Sequence, residues 1–155
     1  AARPEGQQWV GFALLLAIET AMRRGELCLF DVRDVHLEER YVHLSRTKNG
    51  DKRNVPLSRR AVELLQVLVK DPQPDEQVFP FSPDTLGRYY REVRQAAGLK
   101  DANLNFHDTR HEAASRLSLK LSNVLELSAV TGHRSLQTLK RYYHPKASEL
   151  ASKLD

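Results

Sequence analysis

The sequence predicts one α+β domain, mainly α-helical, with a single small antiparallel β-sheet. Three observations carry that expectation. The chain has 155 residues, of which 41% are hydrophobic and 28% charged, so it can build one core without disulfides or metal. Between residues 40 and 58 two β-compatible runs flank Asn49-Gly50, the strongest short hairpin signal, because both residues tolerate the positive φ of a type I′ turn. Elsewhere, and throughout the last third, apolar residues recur at helical spacing between polar caps.

From Pro4 to Met22 the chain is helix-compatible, and its middle, "WVGFALLLAI", is apolar nearly all round, which places it in the interior. Gly25 permits a turn, and "ELCLF" continues as a short helix or turn. "VRDVHL" is a candidate third strand beside the hairpin, whose second strand must lie at an edge or end at Pro56, since proline cannot donate to a ladder. Ser58 is placed to cap a helix with Val62, Leu65, Leu68 and Val69 on one face. Four prolines make "DPQPDEQVFPFSPD" a loop, and "TLGRYYREVRQAAG" reads as a helix stopping at Gly98, with a basic stripe of Arg88, Arg91 and Arg94. Four short helices follow, over "HDTRHEAASRLSLK", "SNVLELSAVTG", "SLQTLKRYYH" and "KASELASKL".

Lys plus Arg exceed Asp plus Glu by 24 − 20 = +4, and the isoelectric point is about 9.3. That balance permits an anionic partner. Cys28 is the only cysteine, so no internal disulfide forms, and a small buried thiol in a reducing, cytoplasmic setting is expected. The run from Trp9 to Ile18 is half of what a bilayer span needs, and no cleavage-like site follows it.

Chemistry concentrates in "TGHRSLQTLKRYYHP", residues 131 to 145, where two tyrosines stand among cations nine and ten positions after His133. Phosphodiester exchange through a protein nucleophile needs a hydroxyl, donors for the charge on phosphorus, and an acid for the leaving oxygen. A free phenol is only about 0.1% ionised at pH 7, so it needs cations or a base nearby. "FHDTRH" puts His107 and Arg110 three apart, on one face of a helix beginning there. "TAMRRGEL" offers a second guanidinium at a helix end, with Glu26 placed to brace it. On a helical wheel Leu136, Leu139 and Tyr143 fall within roughly 60°, with Tyr142 about 100° away from Tyr143, which assigns Tyr143 to the apolar stripe.

Taken in order, these segments resemble the catalytic domain of the tyrosine recombinases, or phage integrases. "TAMRRGEL" is similar to the first arginine box and implies Arg23, and "RTKNGDKRNVPL" to the lysine hairpin and implies Lys48. "FHDTRHEAAS" is similar to the His-x-x-Arg box, implying His107 and Arg110, and "TGHRSLQTLKRYYHP" to the Gly-His and tyrosine box, implying His133 and Tyr142. The resemblance implies the tyrosine recombinase catalytic fold and cleavage of double-stranded DNA without metal or cofactor. Tyr142 attacks the phosphate to give a 3′-phosphotyrosyl link. Arg23 and Arg110 bind the non-bridging oxygens, His107 and His133 donate to the phosphate, His107 handles the nucleophile's proton, and Lys48 protonates the leaving 5′-oxygen. A homo-tetramer on DNA, formed through the helix after His144, is also implied. So is an additional N-terminal DNA-binding domain, which makes residues 1–155 a fragment.

Each residue has a plainer reading. Arg23 or Arg24 at a helix end complements a macrodipole, Lys48 is a turn lysine for which Lys52 can substitute, and the Arg88 stripe is a solvated face. His36 and His43 belong to the surface. His107 and His111 have metal-ligand spacing, but residue 115 is serine, so no His-Glu-x-x-His motif is present. Ala21, Glu112, Thr131 and Tyr143 depart from the residues usual at those places in the family. The competing classes are a DNA-binding relative without catalysis and a topoisomerase of similar chemistry.

Overall fold

The computed structural model describes residues 4–45, 52–102, 104–133 and 135–155. The apolar N-terminal run forms α1 (Gln8–Thr20), which packs against α3, α4 and α5, introduced below. It stops short of Met22 because Ala21 turns left-handed, at φ 60°. The Thr20 hydroxyl holds that break, donating to the Leu16 carbonyl at 2.7 Å and accepting the Met22 N–H at 3.2 Å. A glycine would take that conformation without strain, so the alanine is a costlier residue at the same turn.

A second short helix, α2 (Arg24–Leu27), starts at once, with Arg23 as its N-cap. Arg23 therefore does not close the last turn of α1, and the macrodipole reading of it falls. Three strands follow, β1 (Val35–His36), β2 (Tyr41–Leu44) and β3 (Arg53–Pro56), paired antiparallel in the order β1-β2-β3. β3 lies at the edge and ends on Pro56, so both consequences of that proline hold. The turn residues Asn49 and Gly50 lie outside the described residues. Val42 pairs with Val55 and Leu44 with Arg53, which puts the buried Val42, Leu44 and Val55 on the core face.

Ser58 caps α3 (Arg59–Leu68) by accepting the Ala61 N–H at 3.1 Å, and Leu65 and Leu68 are fully buried. α4 (Pro83–Ala96) begins two residues before the expected start at Thr85. Pro83 occupies its first position, where a missing N–H costs nothing, and Ser82 caps it. Leu16, Met22, Leu27, Phe30, Leu44, Leu65, Phe79 and Leu86 are the centre of the core. Each such side chain contributes about 1.5–3 kcal/mol over its exposed form. Cys28 is buried among them, and burial pushes its thiol up to about 12.

The last third forms α5 (Asp108–Ser118), α6 (Val124–Thr131), α7 (Leu136–Leu139) and α8 (Ala147–Ser152). The single helix expected over residues 135–144 is not formed. α7 tightens into a 3-10 turn, Lys140–Tyr142, and Tyr143 is extended at φ −127°. Pro145 is the residue whose N–H would bond the Arg141 carbonyl in a continuing helix, and it has none; the His144 Nε2 takes that carbonyl instead, at 2.8 Å. The wheel at 100° per residue therefore does not reach Tyr143.

Candidate active site

Arg110, at the third position of α5, is 3% exposed and sits where two helices end. Its Nη1 donates to the carbonyls of Ala21 and Thr131, both at 2.7 Å. Those carbonyls lie at the left-handed ends of α1 and α6, the second closed by Gly132 at φ 75°. Helix C-termini carry orphan acceptors and partial negative charge, so the guanidinium satisfies both ends at once. Burial, then the charge of Arg23, lowers its pKa to about 10, which leaves it charged at neutral pH.

The second nitrogen of Arg110 faces His133, with Nη2 3.1 Å from Nδ1. The Thr131 hydroxyl lies 2.7 Å from the same Nδ1. The same Nη2 lies 3.4 Å from Nε2, so the guanidinium faces both ring nitrogens. Burial first, then Arg110 and Arg23, lowers the His133 pKa to about 4, so the ring is neutral at physiological pH. His107, just before α5, is also lowered, by burial and then by Arg110 and His111.

Arg23 enters from the start of α2. Its backbone N–H donates to Glu26 Oε1 at 2.9 Å, and its Nη1 stands 3.8 Å from the same oxygen. That Nη1 is buried and has no hydrogen-bond acceptor among the described residues. A cavity of about 650 Å³ opens here, lined by Arg23, Arg24, Phe106, His107 and Arg110 among others.

Tyr142 lies outside that lining but close enough for its charge to act on Arg110. Arg141 Nη2 donates to its phenol at 3.0 Å and lies 2.6 Å from His111 Nδ1, which is itself 3.5 Å from the phenol. The Arg141 guanidinium is also 5.0 Å from the centre of the Tyr142 ring. Tyr143 turns elsewhere and donates to the Leu121 carbonyl at 3.2 Å; burial, then Glu126, raises its phenol. The two adjacent phenols are thus separated, though by a break in the helix and not by the wheel.

Of the sequence-expected residues, Arg23, His107, Arg110 and His133 converge, Tyr142 lies beside them, and Lys48 lies outside the described residues. Lys52 is exposed. Within the basic stripe, Arg94 donates to the Leu104 carbonyl while lying 6.0 Å from the Tyr90 ring centre, whereas Arg88, 4.0 Å from Glu92, and Arg91 are exposed. No group of three metal-ligating side chains occurs among the described residues. His36 stacks on Tyr41 and His43 bonds Asn54, both half-buried on the sheet.

Three contributors escape the sequence reading: Arg53, the Thr131 hydroxyl and Arg141. Arg53 had a signal, since it lies two residues before Val55 and Leu57 follows by two more. An arginine on the apolar face of a strand requires a buried carboxylate.

A mainly helical domain with a three-stranded antiparallel sheet, holding guanidinium and imidazole groups beside a phenol, defines the class of tyrosine recombinase catalytic domains. The chain matches the model of the phage integrase family over residues 5–149, and it belongs to that family. It is 43% identical over 141 residues to a shufflon-specific DNA recombinase of Escherichia coli, covering 90% of this chain and 36% of that protein. It is 32% identical over 130 residues to the tyrosine recombinase XerA of Saccharolobus solfataricus, covering 83% of this chain and 43% of that protein. The chain thus spans well under half the length of these relatives. Among solved structures, a XerH site-specific recombinase bound to its difH substrate superposes with a TM-score of 0.69 at 21% identity, over 99% of this chain and 48% of that one. No helix among the described residues is long and apolar enough to cross a membrane.

Proposed function

We propose that this domain performs the strand cleavage and joining of a site-specific DNA recombinase. The Tyr142 oxygen attacks a scissile phosphate of double-stranded DNA and forms a 3′-phosphotyrosyl ester, while the bond to the 5′-oxygen breaks and that oxygen takes a proton. A 5′-hydroxyl of a partner duplex then reverses the step, so the ester's energy is conserved. Arg23 and Arg110 bind the non-bridging oxygens, His133 donates to the phosphate, and neutral His107 accepts the phenol's proton. Lys48 is the proposed acid.

One observation carries this reading: the positive charge gathered at Arg110. The groups acting on it include Arg23, Arg53 and Glu26, so three guanidinium charges, its own included, face one carboxylate and leave an excess of 3 − 1 = +2. An oxyanion with a bidentate appetite for guanidinium fits that excess. The DNA recombinases to which the chain is similar supply the substrate class, a DNA site recombined by the whole protein. Assembly on DNA through α8 is part of the proposal, supported by a helix that buries none of its own residues and leaves Leu150 exposed, as is Leu154 just after it.

The test uses the full-length protein with two labelled duplexes bearing a site recovered from a randomised library as covalent adduct. Joining of one duplex to the other supports recombination. Religation only to the original strand indicates a topoisomerase, and binding without adduct indicates a non-catalytic relative.

A further inference from the structure

Arg53 is the least accounted-for charge near the site. It sits on edge strand β3, opposite the buried Leu44, and its side chain is only 11% exposed. Both of its terminal nitrogens bond the carboxylate of Glu26, Nη1 to Oε2 and Nη2 to Oε1, the latter at 3.1 Å. Glu26 is 1% exposed, and its Oε1 also takes the Arg23 backbone N–H and lies nearest the Arg23 guanidinium. The guanidinium of Arg53 also lies flat against the backbone of Gly132, where an added Cβ would stand 2.5 Å from Nη1.

One side chain therefore touches three parts of the site: the strand that follows Lys48 in sequence, the carboxylate that holds Arg23, and the α6 end that carries His133. The geometry points to Arg53 as a positioning residue for the strand-transfer reaction, acting through Glu26 on Arg23 and through Gly132 on His133. The inference rests on the function proposed above. Arg53 itself is turned to Glu26 and not to the cavity, so its work is to fix other groups. A bidentate fork suits that task because it sets the carboxylate's angle as well as its distance, which a lysine ammonium does not.

A purely structural ion pair makes a different prediction from a positioning one. Replacing a buried pair by apolar residues of similar volume is often neutral for stability. The double variant Glu26→Leu/Arg53→Leu is therefore expected to stay folded, with a Tm lowered only by the lost acceptor of the Arg23 N–H, yet to cleave a nicked suicide duplex bearing the library-recovered site at least 100-fold more slowly. Its Kd for the uncut duplex should stay within about threefold, so the loss falls on the chemical step. Arg53→Lys, which keeps the charge, should fold and recover only part of the rate. A double variant that cleaves within threefold of wild type overturns the inference, as does full recovery by Arg53→Lys. If the double variant does not fold, Arg53→Lys decides alone on the same criterion. A wild-type protein that forms no adduct defeats the strand-transfer reading first, and the inference with it.

Discussion

Arg110 Nη2 lies 3.1 Å from His133 Nδ1, and burial of the ring, with the charges of Arg110 and Arg23 beside it, holds the imidazole in its neutral form. A titration follows from it. The unfolded imidazole titrates near 6.5 and the native one near 4, lowered by burial and then by Arg110 and Arg23. Between those values the unfolded chain binds a proton that the native chain does not. The contribution to stability is complete above about pH 6.5 and drains away as pH falls toward about 4, and His107, shifted in the same direction, adds to it. Imidazole resonances followed by NMR should place the His133 midpoint well below 6.5, and His133→Gln should flatten the acid dependence of Tm.

The Thr131 hydroxyl lies 2.7 Å from His133 Nδ1. Thr131→Val keeps the volume and removes the hydroxyl. The loss of one buried hydrogen bond should cost about 1 kcal/mol of stability. Single-turnover cleavage should fall together with a rise in the His133 midpoint or a change in its tautomer, read from the ring nitrogen shifts.

Arg110→Ala should fail in two ways at once. The carbonyls of Ala21 and Thr131 lose their shared donor, at about 1–3 kcal/mol for each acceptor left dry. Loss of a charged donor to the phosphate should slow cleavage by about 100- to 1000-fold. Thermal unfolding and single-turnover kinetics on one preparation separate the two effects, and Arg110→Lys should restore less than half of either.

Gly132 and Gly98 form a matched pair, both left-handed, at φ 75° and 76°. Ala at either site costs about 1–2 kcal/mol in backbone strain. Gly98 has open space around it, whereas a Cβ at Gly132 meets the Arg53 guanidinium. Gly132→Ala should therefore lower Tm more than Gly98→Ala, and it alone should slow cleavage.

Much of this was legible before the fold. The two strands of the hairpin, the capped helix after Ser58 and the order of the boxes depend on local pattern, whereas the register, Val42 against Val55, is two residues from the Val42 against Leu57 pairing that a two-residue turn at Asn49-Gly50 would set. The breaks were not legible. Ala21 reads as a helix former, and its left-handed turn is held by the Thr20 hydroxyl together with Arg110, 89 positions away. Pro145 deprives the Arg141 carbonyl of its donor, but that alone does not place the break as early as Tyr143. Arg53 and Glu26, 27 positions apart, are legible singly and not as a pair, because a strand register and a helix start must both be known.

Tyr142, not Tyr143, is the proposed nucleophile. The Tyr142 phenol bonds Arg141 beside the site, while Tyr143 is tied to the Leu121 carbonyl. Nicked suicide duplexes incubated with wild type, Tyr142→Phe and Tyr143→Phe in EDTA, followed by a denaturing gel and mass mapping of the DNA-linked peptide, test this directly. The account predicts that the adduct disappears with Tyr142→Phe alone, while Tyr143→Phe keeps it and loses about 1 kcal/mol of stability. An adduct that survives in Tyr142→Phe, or that maps to Tyr143, contradicts it.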